Sequence, residues 1–210
     1  MKLLMKKLND NSYLILTAAA FMNPRIKNFI QEKISLLKDR RIAIITTAST
    51  DKENNKYSII AKDIYLNMNT NSVVFVDIET EPNFDFSKTD VIHICGGNTF
   101  KLLHFARIAK LDLSINNLLS KGGVCIGVSA GSLVLGPSVK IASEVRPDIN
   151  EINEKDYTGL GLTDFIIFPH YEESDEKEIV AFEGKNMCKI QRVKNNQALV
   201  IHSNKFEVIE

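Results

Sequence analysis

No run of about 18 apolar residues occurs in the sequence, so a membrane-spanning helix is not expected. Net charge is missing too: 26 Lys and Arg offset 26 Asp and Glu over 210 residues. The basic residues are scattered and form no arginine-rich aromatic platform, so neither a nucleic-acid nor a membrane partner is expected. Cysteine is scarce. Cys95, Cys125 and Cys188 are odd in number and have neither metal-ligand nor redox spacing. Cys95 and Cys125 fall in apolar runs, which points to buried free thiols in a reducing compartment rather than a disulfide framework. The four histidines, His93, His104, His170 and His202, also lack metal-ligand spacing, so no metal is expected. No cofactor is implied. The first twenty residues carry lysines and apolar residues, but Asn9, Asp10 and Asn11 interrupt them, and they make a poor signal peptide. The combined expectation is a cytoplasmic protein of one domain, long enough to bury a real core at 44% hydrophobic residues.

What is present is an alternation of short apolar runs with longer amphipathic ones. Strands are expected at 13–19, 41–49, 72–78, 90–97, 124–128 and 164–170, and a closing hairpin at 197–201 and 205–210 turning at 202–204. Helices are expected at 23–39, 55–68, 100–110, 113–121 and 174–186. Strands alternating with helices imply βαβ units and a mostly parallel sheet covered on both faces, an α/β class. The stretch 140–163, rich in charge, Gly and Pro, is the longest irregular one. Long loops in compact domains are often functional.

Three motifs fall just past expected strands: "CGGNTF" after 90–95, "GVSAG" after 124–128 and "PHY" after 164–168. Ligands in an open α/β sheet bind beyond the carboxyl ends of strands. A sharp strand-to-helix turn at Gly127-Val128-Ser129-Ala130-Gly131 would expose the Ser129 hydroxyl, with the Ala130 N–H aimed at a developing oxyanion. Gly96 and Gly97 would let the backbone approach a ligand, and the Gly97 N–H is a candidate second oxyanion donor. The plainer role of "GGNTF" is a turn with Asn98 or Thr99 as helix N-cap. A serine nucleophile needs a base. His93 in a strand and His104 on a helix read as structural, and His202 in the late turn reads as solvated. His170 directly follows a strand and is preceded by Pro169, which restricts the backbone there, so position and rigidity both favour it.

"CGGNTFKLL", "GVSAGS" and "FPHY", in this order and at these separations, resemble the serine peptidases typified by peptidase E, with cyanophycinase as a more distant relative. The likeness includes "LTAAAFMNPRIKNFI" and "IITTAS" and extends over most of the chain. It implies a three-layer α/β/α sandwich related to class I glutamine amidotransferases, flavodoxin-like in plan. It also implies a serine-type peptidase acting on a small peptide, with Ser129 as nucleophile, His170 as general base, and Gly97 and Ala130 as oxyanion donors. Gly96, Asn98 and Glu144 are the candidate substrate contacts.

The third triad position departs from the resemblance. The family places an acid just before the strand matching "QALVI", where this chain has Asn195 with Asn196 beside it. An asparagine can accept from the histidine N–H but supplies no negative charge. Glu144, Asp164, Glu172 and Glu173 are the alternative acids. Aspartyl dipeptidases also need a cation for the substrate aspartate. The segment after His170 has no arginine before Arg192, and Arg146 and Arg192 are the nearest basic candidates, so Asp specificity is not expected to be strict. Two rival readings stay open: an α/β-hydrolase esterase using Ser129, Asp164 and His202, and a binding or sensing protein that kept the pocket after losing the acid. A homodimer is left open, since no long exposed apolar stripe argues for one.

Overall fold

The computed structural model describes residues 9–203 and 205–210, and the lysine-bearing first eight residues and Asn204, within the expected closing turn, lie outside them. Seven strands form the main sheet: β1 (Tyr13–Thr17), β2 (Arg41–Ile45), β3 (Ser72–Val76), β4 (Val91–Ile94), β5 (Val124–Val128), β8 (Ala198–His202) and β9 (Lys205–Ile209). Their order is β3-β2-β4-β5-β1-β8-β9. The first five run parallel, and β8 and β9 add antiparallel at one edge. A second, two-stranded parallel sheet pairs β6 (Ile166–Pro169) with β7 (Ile190–Val193). The helices are α1 (Pro24–Ser35), α2 (Lys56–Leu66), α3 (Thr99–Ile108), α4 (Leu111–Ser120), α5 (Ala130–Val134) and α6 (Glu176–Asn186).

The inner strands β1, β2, β4, β5 and β8 read as largely apolar runs because both faces of the sheet are covered there. Side chains alternate between two cores. Leu14, Leu16, Ile92, Ile94 and Cys125 join the core under α3, α4 and α5. Ile15, Ile42, Ile44, Val124 and Ile126 join the core under α1 and α2. Helix α1 fits its layer through Ile26, Ile30 and Ile34, spaced four apart and all fully buried. The architecture is therefore the expected α/β/α sandwich. No helix of the described residues is long and apolar enough to cross a membrane.

Two expectations need correction. The first helix ends at Ser35 rather than Asp39: Leu36 is its C-cap and is 70% exposed, while Leu37 packs against the core beyond the helix. Strand β7 was not expected at all: its middle residues, Gln191 and Arg192, are polar and half-buried, so the run lacks the apolar continuity of the other parallel strands.

This topology brings the motifs together. β4 and β5 are neighbours in the sheet, paired from Val91↔Val124 to Ile94↔Gly127. The turn after β4, bearing Gly96 and Gly97, therefore lies beside the turn after β5, bearing Ser129. The β6 strand ends next to His170, and the turn between β7 and β8 carries Asn195.

Candidate active site

Ser129 sits between β5 and α5 with φ 53° and ψ −116°, a conformation that costs a non-glycine residue about 1–3 kcal/mol. The surroundings hold it there. Its N–H donates to the Thr17 carbonyl at 2.9 Å, and its own carbonyl accepts from Ser132 N–H at 2.9 Å and Leu133 N–H at 3.1 Å. Ser132, fully buried, staples the same turn to β1. Its hydroxyl accepts from Thr17 N–H at 2.9 Å and lies 2.7 Å from the Gly127 carbonyl.

The glycines around Ser129 are required by close backbone approach. A Cβ on Gly127 would come within 2.7 Å of the Gly131 carbonyl oxygen, and one on Gly131 within 2.3 Å of the Ile94 carbonyl oxygen. Helix α5 thus packs its backbone directly on β4 and β5, leaving Ser129 at the crest. Gly96 faces the serine itself: a Cβ there would lie 2.9 Å from Ser129 Cβ and 3.5 Å from Oγ. Gly97, at φ +142°, passes so close to Ala48 that a Cβ would meet its carbonyl oxygen at 2.1 Å. The backbone N–H groups of Gly97 and Ala130 make no hydrogen bond among the described residues.

His170 Nε2 lies 3.0 Å from Ser129 Oγ, and His170 Nδ1 lies 2.6 Å from Asn195 Oδ1. Three residues far apart in the chain therefore form one hydrogen-bonded line. His170 has φ 57°, in the left-handed region where histidine is among the better-tolerated residues. Its carbonyl accepts from Arg146 Nη2 at 2.7 Å, and the same guanidinium pairs with the buried Asp175 and lies over the Phe168 ring. Asn195 occupies the turn closed by Gln197 N–H donating to the Lys194 carbonyl at 3.0 Å, with Gln197 Oε1 accepting from Lys194 N–H at 3.0 Å.

The other candidates go elsewhere. Asn98 Oδ1 caps α3 by accepting from Lys101 N–H at 2.9 Å, and its Nδ2 donates to the Ile149 carbonyl at 2.6 Å. It therefore serves the helix and the long loop rather than a substrate. Glu144 is held by Lys185 at 2.8 Å and Lys140 at 3.8 Å, and the hydrogen bond from Lys185 keeps its carboxyl below the usual range. That removes it from the expected substrate contact. Glu172 donates its N–H to Asp175 at the start of the segment leading into α6. Asp164 lines a separate groove with Arg192, and Arg192 is committed to Glu176 and Glu183 at 2.9 and 2.7 Å. His202 is not solvated as expected. It ends β8, stacks on Tyr13 with centroids 4.1 Å apart, and its Nδ1 is 2.9 Å from the Ser12 carbonyl. The Ser129–Asp164–His202 arrangement of the esterase reading is therefore not assembled.

A cleft of about 710 Å³ opens at Ser129, with His170, Asn195, Gly96 and Gly97 on its wall. Its far side is built by Phe21, Tyr57 and Ile60 from the layer of α1 and α2. His93 and Cys95 line it from β4 and the residue following it. His93 is buried and hydrogen-bonded as its structural reading implies, and it also reaches the cleft. The available signal was strand alternation: Ile92 and Ile94 face the other core, so residues 91, 93 and 95 face the α1–α2 side and approach the carboxyl end of the sheet.

A model of peptidase family S51 matches residues 14–209. An uncharacterised peptidase of Listeria monocytogenes is 29% identical over 174 residues, covering 80% of this chain and 84% of that protein. Peptidase E of a Nostoc species is 29% identical over 151 residues, covering 72% of this chain and 58% of the relative. The crystal structure of a Listeria monocytogenes EGD-e protein, described as a candidate peptidase E, superposes with a TM-score of 0.75 at 25% identity, covering 94% of this chain and 97% of that one. A peptidase from an acI-B1 Actinobacterium shares the fold with a TM-score of 0.68 at 16% identity, over 94% and 87% of the two chains.

Proposed function

The chain belongs to peptidase family S51, and from that premise we propose that it is a serine peptidase that hydrolyses small peptides through an acyl-enzyme on Ser129. The observation that carries this reading is the line Asn195 Oδ1, His170 Nδ1, His170 Nε2, Ser129 Oγ, with separations of 2.6 and 3.0 Å.

Each atom in that line has a task. His170 acts as base only if Nε2 is unprotonated, which puts its hydrogen on Nδ1. The Asn195 amide oxygen accepts that hydrogen and fixes the tautomer. As Ser129 Oγ attacks the scissile carbonyl carbon, its proton passes to His170 Nε2. The carbonyl electron pair moves to oxygen, where the Gly97 and Ala130 N–H groups receive it. Collapse of this intermediate breaks the C–N bond, and His170 returns the proton to the leaving amine. Water, deprotonated by the same nitrogen, then releases the acyl group and regenerates Ser129. Asn195 orients the imidazole but adds no negative charge, so this triad is expected to be slower than one ending in a carboxylate. The strained backbone of Ser129 supports the same reading, since such conformations cluster at sites where a side chain must be held for use. Buried, unpaired Cys95 and Cys125 support work in a reducing compartment such as the cytoplasm.

The test is cleavage of a mixed library of di- to tetrapeptides, followed by mass spectrometry. Products from the wild type and none from Ser129→Ala are expected. Equal turnover by both proteins would contradict the proposal.

A further inference from the structure

The cleft beside Ser129 is uncharged. Among the described residues that line it there is no arginine, lysine, aspartate or glutamate. Arg146 and Arg192, the cations nearest in sequence, are bound to Asp175 and to Glu176 and Glu183. Two helix N-termini reach the rim, but they are already capped: Asn23 Oδ1 accepts from Arg25 and Ile26 N–H, and Asn55 Oδ1 accepts from Tyr57 N–H. A carboxylate entering this space would lose water without meeting a cation.

One polar group stands at the cleft floor. His93 is only 3% exposed, and its ring stacks on Phe21 with centroids 5.6 Å apart. His93 Nδ1 is 2.8 Å from the Tyr65 hydroxyl, itself fully buried. Nε2 has no hydrogen-bond partner among the described residues and belongs to a residue that lines the cleft. Burial lowers the imidazole's pKa to about 4, so it is neutral near pH 7. Which nitrogen carries the hydrogen follows from Tyr65. Its phenol is kept protonated by burial, and His93 is its hydrogen-bond partner among the described residues. If Nδ1 held the hydrogen, the buried tyrosine O–H would be left without an acceptor, an expensive arrangement. Tyr65 therefore donates to Nδ1, and Nε2 carries an N–H that has no partner among the described residues.

We infer that this cleft is a specificity pocket for an uncharged substrate side chain with a hydrogen-bond acceptor, such as the amide of asparagine or glutamine, and that His93 Nε2–H is the donor that reads it. The inference rests on the Ser129 acyl-enzyme reading. Apolar walls from Phe21 and Ile60 take the stem of such a side chain, and the donor at the floor takes its oxygen.

The test uses short peptides in which Asn, Gln, Asp, Glu or Leu flanks the scissile bond on either side. Values of kcat/KM are measured for the wild type, His93→Phe, His93→Gln and Tyr65→Phe. Labelling of Ser129 by a fluorophosphonate probe runs in parallel, and every variant that labels is scored. At one flanking position the wild type is expected to prefer Asn or Gln to Leu by about tenfold. It is expected to prefer them to Asp or Glu by about a hundredfold. His93→Phe brings the amide peptides down to the level of Leu, while His93→Gln, which retains an N–H donor, keeps part of the preference. Tyr65→Phe leaves the imidazole but frees its tautomer, and the amide preference narrows. A preference for Asp or Glu, equal rates for Asn and Leu, or an amide preference surviving His93→Phe would overturn the inference. So would failure to cleave any peptide by a protein whose Ser129 labels. A wild type that does not label at Ser129 overturns the acyl-enzyme reading, and this inference with it.

Discussion

His170 Nδ1 and Asn195 Oδ1 are 2.6 Å apart, a contact between a residue that follows β6 and one in the turn before β8. An amide oxygen thus stands where the family resemblance placed a carboxylate. The contact is short enough to orient the imidazole, and the partner is neutral. Replacing Asn195 by Asp would make the hydrogen bond charge-assisted as the imidazolium forms. A gain of about tenfold in kcat/KM is expected, from the roughly 1.4 kcal/mol by which such bonds exceed neutral ones. Asn195→Ala should lose about a hundredfold, because the ring is no longer held in line. Steady-state peptide hydrolysis checks both, and an unchanged rate in Asn195→Ala would remove Asn195 from the site.

Gly96→Ala tests the packing around the nucleophile. Its methyl would arrive 2.9 Å from Ser129 Cβ. The serine must shift, and a displacement approaching 1 Å is expected to cost about a hundredfold in rate. The melting temperature should move by only a few degrees, since the crowding is local. Gly97→Ala differs, because its methyl would strike the Ala48 carbonyl and no rotamer relieves that. Thermal melts should separate the two, with Gly97→Ala the less stable protein.

Arg146 links the long loop to the catalytic line through the His170 carbonyl and Asp175. Its hydrogen bonds go to the His170 carbonyl and Asp175 rather than to Ser129 or His170's ring, which argues for positioning, while it also lines a small cavity shared with Ser129, Gly97 and Ala130. Arg146→Ala should lower kcat by about tenfold or more with KM little changed, as expected when a remote contact sets geometry. Arg146→Lys should rescue poorly, because a single ammonium cannot reach both partners in the geometry of the planar guanidinium. A large rise in KM with kcat intact would instead assign Arg146 to substrate binding.

His93 gives stability a pH signature. Its pKa falls from about 6.5 unfolded to about 4 folded, through burial. Between those values the unfolded chain binds the extra proton, so stability is full above pH 6.5 and is lost as pH falls toward 4. The loss amounts to about 3 kcal/mol. The buried Tyr65 and Cys95 do not titrate in that window, since burial pushes the phenol well up and the thiol to about 11. Urea unfolding at pH 7, 6, 5 and 4.5 measures the slope, and His93→Gln should flatten it. An equal slope in that variant would assign the effect to other groups.

Much of the fold was legible because four of the five parallel strands, β1, β2, β4 and β5, are buried on both faces. Runs such as Val124–Val128 and Arg41–Ile45 therefore announce themselves by apolar continuity alone. Strand β7 was hidden because Gln191 and Arg192 face partly outward, and its pairing with β6 is a tertiary fact. In the line Asn195–His170–Ser129, Ser129 and His170 were legible in motifs at strand ends, and Asn195 only through the family resemblance. The Asn98 cap of α3 was legible as the plainer reading of "GGNTF", but pairing its amide nitrogen with the Ile149 carbonyl and Glu144 with Lys185 required the long loop's path, which no local pattern encodes. The burial of His93 agrees with its structural reading, and its place at the cleft was hidden for a related reason. Alternation gives its face, but only the packing of Phe21 and Tyr65 shows that one of its nitrogens is satisfied and the other is not.

The central claim is that His170 activates Ser129. Intact-protein mass spectrometry of fluorophosphonate labelling tests it most directly, following the rate for wild type, Ser129→Ala and His170→Ala. The account predicts a single adduct mapped to Ser129 in the wild type, none in Ser129→Ala, and a rate for His170→Ala reduced by about a thousandfold or more. An adduct at another residue, or a His170→Ala rate equal to the wild type, would contradict it.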